Sequence, residues 1–263
     1  MSSPKIGQRF KLQNLNELIV YKSPVEKIRI GPKFDGGYVV CCLLGGYDTF
    51  ISGGIGNNIE FEKHFLSMMP QLSCLAFDGT VSGIPQSVDR LSFIKMNLGE
   101  TNTSNTTNLL YFMHGVKDAF IKIDIEGNEF KLLPSMIENG DMSKVKQLIL
   151  EIHTPQDIKL HPKYYGDSLK NITDDIMFNM LKMINKTHSL VHLHGNSSVG
   201  SYINDDGVLI PKVIECTFVR KSEFPNFNWT ISDENIPSKL DYPNTHNSSE
   251  ITLKGFPFNS IET

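Results

Sequence analysis

The sequence has no apolar run approaching the roughly 20 residues needed to cross a bilayer as a helix. Its opening, Met-Ser-Ser-Pro-Lys, lacks the apolar core of a secretory leader. The expected compartment is therefore the cytoplasm, with no membrane partner. Lysine and arginine form no block and the formal net charge is −4. A protein that grips a phosphate backbone needs a concentrated basic face, so nucleic acid is not an expected partner either. Cysteine is scarce: Cys41, Cys42, Cys74 and Cys216 show no Cys-X-X-Cys spacing and sit mostly in apolar, strand-like segments. Buried free thiols fit this better than disulfides or zinc ligands. With no leader, the Asn-X-Ser/Thr triplets of this Asn-rich chain, such as those at Asn102 and Asn171, are read as chance.

What is present is a globular composition, 263 residues with 40% hydrophobic and 21% charged. That suffices for one full α/β domain with appendages. Residues 1–45 read as an N-terminal helix and hairpin cover, with a short amphipathic helix around Leu15 to Tyr21 and a turn at Asp35-Gly36-Gly37 between two strand-like runs. Residues 46–221 alternate short apolar runs with helical stretches, and 222–263 form a Pro-, Asn- and aromatic-rich tail wrapping the domain. Strands are expected at 49–52, 73–77, 91–96, 119–124, 147–152, 190–193 and 213–219. Helices are expected at 60–69, 107–116, 129–138 and 173–186. This alternation implies a mainly parallel sheet covered on both faces. The stretch from His153 to Ser168 reads as an irregular loop of the kind that covers a site.

In such a sheet ligands bind beyond the carboxyl ends of the strands. The first strand runs into Ser52-Gly53-Gly54-Ile55-Gly56-Asn57-Asn58, where glycines permit a tight turn close to a ligand and Asn57 or Asn58 can cap the next helix. The second ends in Asp78, about 24 residues after Gly54, where an acid can accept hydrogen bonds from both ribose hydroxyls of a nucleoside. The third leads to Asn97-Leu98-Gly99, an edge for an adenine. The fourth ends in Asp124-Ile-Glu126, and the fifth in Glu151-Ile-His153. A turn, a cap or an ion pair explains any one of these acids; their recurrence at successive strand ends points to a site.

Asp35-Gly-Gly-Tyr-Val-Val, the glycine turn with Glu60-Phe-Glu, Phe77-Asp-Gly79-Thr, Ile121-Lys-Ile-Asp-Ile-Glu-Gly-Asn-Glu, Leu150-Glu-Ile-His and Glu215-Cys-Thr-Phe together resemble the FkbM-type S-adenosylmethionine-dependent O-methyltransferases. The similarity runs over roughly 28–221, and Leu240-Asp-Tyr-Pro-Asn resembles the ending of the eukaryotic-type branch. The resemblance implies a class I methyltransferase (Rossmann-like) α/β fold: a seven-stranded, mostly parallel sheet with the last strand antiparallel, in which 46–221 binds S-adenosylmethionine. Many such enzymes carry an acid in the first strand. Here Ser52 takes an early position, so the methionine amino group needs another partner, Asp35 or Asp124.

The expected cofactor contacts are Asp35, Gly53, Gly54, Gly56, Asn57, Asp78, Gly79, Asn97, Leu98 and Asp124. The sulfonium already activates the methyl group, so the protein must align a nucleophilic oxygen and exclude water. A hydroxyl acceptor benefits from a general base. His153 and His194 qualify because imidazole titrates near neutrality, with Asp124 and Glu126 acting directly or orienting them. Tyr164, Tyr165 and His192 are expected against the acceptor. A divalent metal on Asp124, His153, His192 and His194 is a less favoured alternative, since paired strand histidines more often pack or hydrogen-bond. The expected reaction is O-methylation of a small sugar or glycan precursor; no oligomeric state is implied. The competing readings are a nicotinamide-dependent oxidoreductase and a binding module that has lost the chemistry.

Overall fold

The computed structural model describes residues 15–261. Residues 1–14 of the expected N-terminal cover lie outside that range. The strands are β1 (Lys27–Ile30), β2 (Tyr38–Cys41), β3 (Thr49–Gly53), β4 (Cys74–Phe77), β5 (Leu91–Ile94), β6 (Asn97–Leu98), β7 (Thr106–Thr107), β8 (Ala119–Ile123), β9 (Val145–His153), β10 (His188–Gly195), β11 (Ser201–Ile203), β12 (Leu209–Pro211) and β13 (Val213–Arg220). The helices are α1 (Glu60–Met68), α2 (Glu129–Glu138), α3 (Pro155–Leu160), α4 (Pro162–Tyr165) and α5 (Asp174–Asn185).

Seven strands form one sheet in the order β10-β13-β9-β8-β3-β4-β5. Those from β5 to β9 pair in parallel, and β13 runs antiparallel to both β9 and β10. The expected seven-stranded sheet with its last strand reversed is therefore present. Its strands are apolar on both faces because both faces are covered. Along β8, Ile121 and Ile123 join the core under α2 and α5, while Phe120 joins Phe50, Phe61 and Phe65 under α1 and the β1–β2 hairpin. The period of two sends alternate residues into two different cores. Phe65 and Phe120 stack with ring centroids 4.1 Å apart, fixing α1 over the sheet.

Three local expectations are corrected. The stretch 107–116 is not a helix: β7 is followed by turns, with Leu109 at φ 67. Asn102 Oδ1 accepts from the Asn108 amide and the Thr107 hydroxyl, and these local side-chain bonds compete with the helical ladder. The stretch 153–168 holds two short helices rather than an irregular loop. Thr154 accepts a hydrogen bond from the Asp157 amide and Pro155 occupies the first turn, which is a helix start legible in Thr-Pro-Gln-Asp. Near the N-terminus, only a 3₁₀ turn at Leu15–Leu18 stands where a helix to Tyr21 was expected. The β11–β12 hairpin was not anticipated.

The segment after Glu223 adds no strand to the main sheet and is tied down at separated points. Ile231 bridges to Tyr21, Asp241 and Glu250 reach the histidines of β10, and Asn244 Nδ2 donates to Glu215 Oε1 at 2.6 Å. All four cysteines are free thiols, Cys42 half-buried and the others buried. Among the described residues no helix is long and apolar enough to cross a membrane.

Candidate active site

A cavity of about 720 Å³ opens at the carboxyl ends of β3, β4 and β8. Its floor is the turn after β3. Gly54 has φ +75, and an added Cβ would overlap the Asp124 carbonyl oxygen, so only glycine fits there. Two residues on, the Gly56 amide donates to Asp78 Oδ2 at 2.8 Å. The other oxygen of Asp78 accepts from the Thr80 amide at 2.7 Å and hydroxyl at 2.6 Å. Burial pushes the Asp78 carboxyl up, but these donors outweigh it and hold the group below its ordinary range, ionised at neutral pH.

Of the residues expected at the cofactor, Gly54, Gly56, Asn57, Asp78, Asn97, Leu98, Asp35 and Asp124 all line this cavity. Gly53 and Gly79 support it from behind: a Cβ on Gly53 would overlap Leu98 and one on Gly79 would overlap Asn97. Asn58, rather than Asn57, meets the next helix, its Oδ1 accepting from the Glu60 amide at 3.1 Å. Among the lining residues that were missed, two carry charge. Lys122 is buried, with Nζ 3.5 Å from the Gly54 carbonyl oxygen and 5.3 Å from the centroid of the Tyr38 ring. Glu62 accepts from the Ser52 hydroxyl at 2.6 Å through Oε1, while its buried Oε2 has no partner. An acid thus does reach the end of the first core strand, delivered by α1. The signal was present in the Glu60-Phe-Glu segment.

A second cavity of about 300 Å³ adjoins the first, and Asp35, Asp124, Glu126, Tyr164 and Tyr165 line both. Its wall comes from the ends of β9 and β10 and from the short helices after β9, through Glu151, His153, Asp157, His161 and Asn196. Tyr38 joins the acids: its hydroxyl donates to Glu151 Oε2 at 2.9 Å and lies 3.2 Å from Asp124 Oδ2. Burial, with Asp124 and Glu215 nearby, pushes the Glu151 carboxyl well up. Asp124 is buried too, yet His153 and Lys122 keep it below its ordinary range. The two carboxyls that Tyr38 touches are therefore shifted in opposite directions.

His153 sits at the centre of this wall. Its Nδ1 lies 2.7 Å from the Tyr165 hydroxyl and 3.2 Å from Asp157 Oδ2. Its Nε2 points at Glu126 Oε2, 3.3 Å away, and Asp124 Oδ1, 3.9 Å away, without a hydrogen bond to either. Burial alone would depress this imidazole, but Asp124 and Asp157, backed by Glu129 and Glu151, hold it well above its ordinary value. These acids favour the charged ring as long as nothing cationic lies between them and His153. Glu126 itself has φ 54 and is followed by Gly127 at φ 85, an uncommon backbone that turns the chain sharply after Asp124.

His192 and His194 stand apart. Neither lines the two cavities. His192 Nε2 is 2.9 Å from Asp241 Oδ1; His194 Nδ1 is 2.9 Å from Glu215 Oε2 and its Nε2 is 2.8 Å from Glu250 Oε2. Although burial opposes it, Glu215 and Glu250 raise the His194 imidazole to about 10. With both nitrogens engaged and the ring charged, His194 has no free site for a substrate proton.

Over residues 46–182, about half of its length, the sequence matches the model of the methyltransferase FkbM domain. The chain belongs to the FkbM methyltransferase family. That match covers the glycine turn, Asp78, the Asp124-Ile-Glu segment and the His153 helices, and it supersedes the nicotinamide oxidoreductase alternative. No curated protein gives a significant match. Among solved structures, the FkbM-family chain is similar to a fibrillarin/Nop5p complex at 11% identity, over 68% of this chain and 74% of that one, with a TM-score of 0.39. It is similar to CalO1, a methyltransferase of calicheamicin biosynthesis in its SAH-bound form, at 9% identity over 65% and 48%, with a TM-score of 0.33. The plantazolicin methyltransferase BpumL, in complex with a substrate analogue and SAH, aligns at 11% identity over 65% and 75%, with a TM-score of 0.36. No function follows from likenesses this distant.

Proposed function

We propose that this protein transfers a methyl group from S-adenosylmethionine to a hydroxyl oxygen of a polyhydroxylated small molecule, a sugar or glycan precursor, in the cytoplasm. The observation that carries the proposal is the junction of the two cavities at Asp124. The larger cavity has the size and the strand-end acid for the cofactor; the smaller one opens directly onto it. In this reading Asp78 accepts the ribose hydroxyls, Asn97 and Leu98 border the adenine, and the unpartnered Glu62 Oε2 takes the methionine ammonium that a first-strand acid would otherwise take. The surplus of carboxylates also favours a sulfonium cofactor electrostatically.

The smaller cavity suits an acceptor rich in hydroxyls. Asp35, Glu151, Asn196 and Ser198 offer donors and acceptors along its wall. His153 faces Asp124 and Glu126 and favours the charged form of Asp124, and ionised Asp124 is the group placed to take the hydroxyl proton. Free cysteines agree with a reducing compartment. The test is incubation with S-adenosylmethionine carrying a ¹³C methyl group and a panel of sugars and nucleotide sugars, with the label read by NMR. A methyl ether is the expected product. Transfer only to nitrogen or carboxylate acceptors would overturn the oxygen assignment.

A further inference from the structure

We propose that Asp124, Glu126 and His153 form a binding site for one divalent cation of the magnesium or manganese class, at the junction of the two cavities. One carboxylate oxygen from each acid and one imidazole nitrogen lie within 4.8 Å of one another. A cation with ligand bonds of about 2.0–2.1 Å binds such a set after small side-chain adjustments. The acids alone would not make a site. The decisive feature is His153: its side chain is 8% exposed, and Nε2 faces the two carboxylates without a hydrogen-bond partner. Its other nitrogen is held by Asp157 and Tyr165. A carboxylate and a hydroxyl behind the ring are the arrangement that orients a ligating imidazole and strengthens it as a donor.

Charge and access agree. Among the described residues, the smaller cavity is lined by five carboxyl groups, Asp35, Asp124, Glu126, Glu151 and Asp157, against two imidazoles and no lysine or arginine. Glu126 keeps 48% of its side chain exposed, so an entering ion meets an open ligand first. Two hard oxygens and one nitrogen favour magnesium or manganese over the thiolate- and imidazole-rich sets of zinc sites. The sequence alternative that drew His192 and His194 into such a site is replaced, since both are committed to Asp241, Glu215 and Glu250.

The cation's role rests on the methyl-transfer reading above. Coordinated to it, an acceptor hydroxyl becomes more acidic. The hydroxyl proton passes to the Asp124 oxygen that does not hold the cation, and an oxygen lone pair forms the O–CH₃ bond. The S–CH₃ bonding pair returns to sulfur, leaving a neutral thioether.

The experiment titrates Mn²⁺ into the metal-stripped full chain without cofactor, by calorimetry and electron paramagnetic resonance. The wild type is expected to bind one ion at micromolar to submillimolar concentration, with a hyperfine signature of one coordinated imidazole nitrogen. His153→Ala should abolish that signature. Glu126→Gln, whose exposed side chain makes misfolding improbable as a cause, should weaken binding at least tenfold. Absence of Mn²⁺ binding in folded wild type, or equal affinity in Glu126→Gln, overturns the site. S-adenosylhomocysteine is titrated separately into the stripped protein. Loss of that binding with Mn²⁺ retained rejects the cofactor reading alone.

Discussion

His153 and His194 lie at the same end of β9 and β10, two strands separated by β13, are both buried, and both face carboxylates; by residue type they were equal candidates for the catalytic base. The fold separates them by what their second nitrogen does. At β10, Glu215 from the adjacent strand and Glu250 from the tail occupy both nitrogens of His194, so the ring is a fastener between sheet and tail. At β9, Asp157 and Tyr165 hold one nitrogen of His153 and the other looks into a cavity with no partner. A histidine's place in a mechanism depends on which of its nitrogens the structure leaves uncommitted, and burial or acidic company alone does not reveal that.

The comparison breaks most visibly in kinetics. His153→Ala should lower turnover by about 10- to 100-fold while leaving S-adenosylhomocysteine affinity within about threefold. His194→Ala should show the reverse pattern, with turnover per folded molecule retained and stability reduced. Equal loss of turnover in both would erase the distinction. Next in size, Glu215→Ala strands a charged ring in the core and should cost about 3–5 kcal/mol in urea unfolding; a cost below about 1 kcal/mol, typical of an exposed ion pair, would mean the fastener is solvent-screened. Asp78→Ala should weaken cofactor binding by about 1–3 kcal/mol, the consequence of unmade hydrogen bonds to ribose. Unchanged affinity would move the cofactor away from the β4 end.

The fastener also predicts a pH dependence. The His194 imidazole is raised from 6.5 to about 10 on folding, so its stabilisation is fully present below pH 6.5 and is lost as pH rises through about 10. The stability gap between wild type and His194→Gln, followed by urea midpoint, should therefore shrink from neutral pH toward pH 10. A gap that widens with pH would show the ring to be buried neutral.

Much of this was legible in the sequence, for identifiable reasons. The β3 turn, Asp78 and the Asp124-Ile-Glu segment are local: strand, glycine and acid follow one another within a few residues, and the sheet brings them together at one edge. The partner of His194 was not legible, because Glu250 lies 56 residues away in a tail without regular structure. Tyr38 likewise reaches Asp124 and Glu151 over separations of 86 and 113 residues, from a hairpin that reads as a plain turn. At 107–116 the apolar spacing suggested a helix, but Asn102 and Thr107 divert the backbone through side-chain bonds that periodicity does not register.

The claim on which the rest depends is that the glycine turn and the cavity above it hold the methyl donor. Calorimetric titration of the folded wild-type chain with S-adenosylhomocysteine tests it most directly. One-to-one binding, weakened in a folded Asp78→Ala variant that lacks the strand-end acid of the cavity, is the predicted result. A folded wild-type chain that gives no heat with S-adenosylhomocysteine would contradict it.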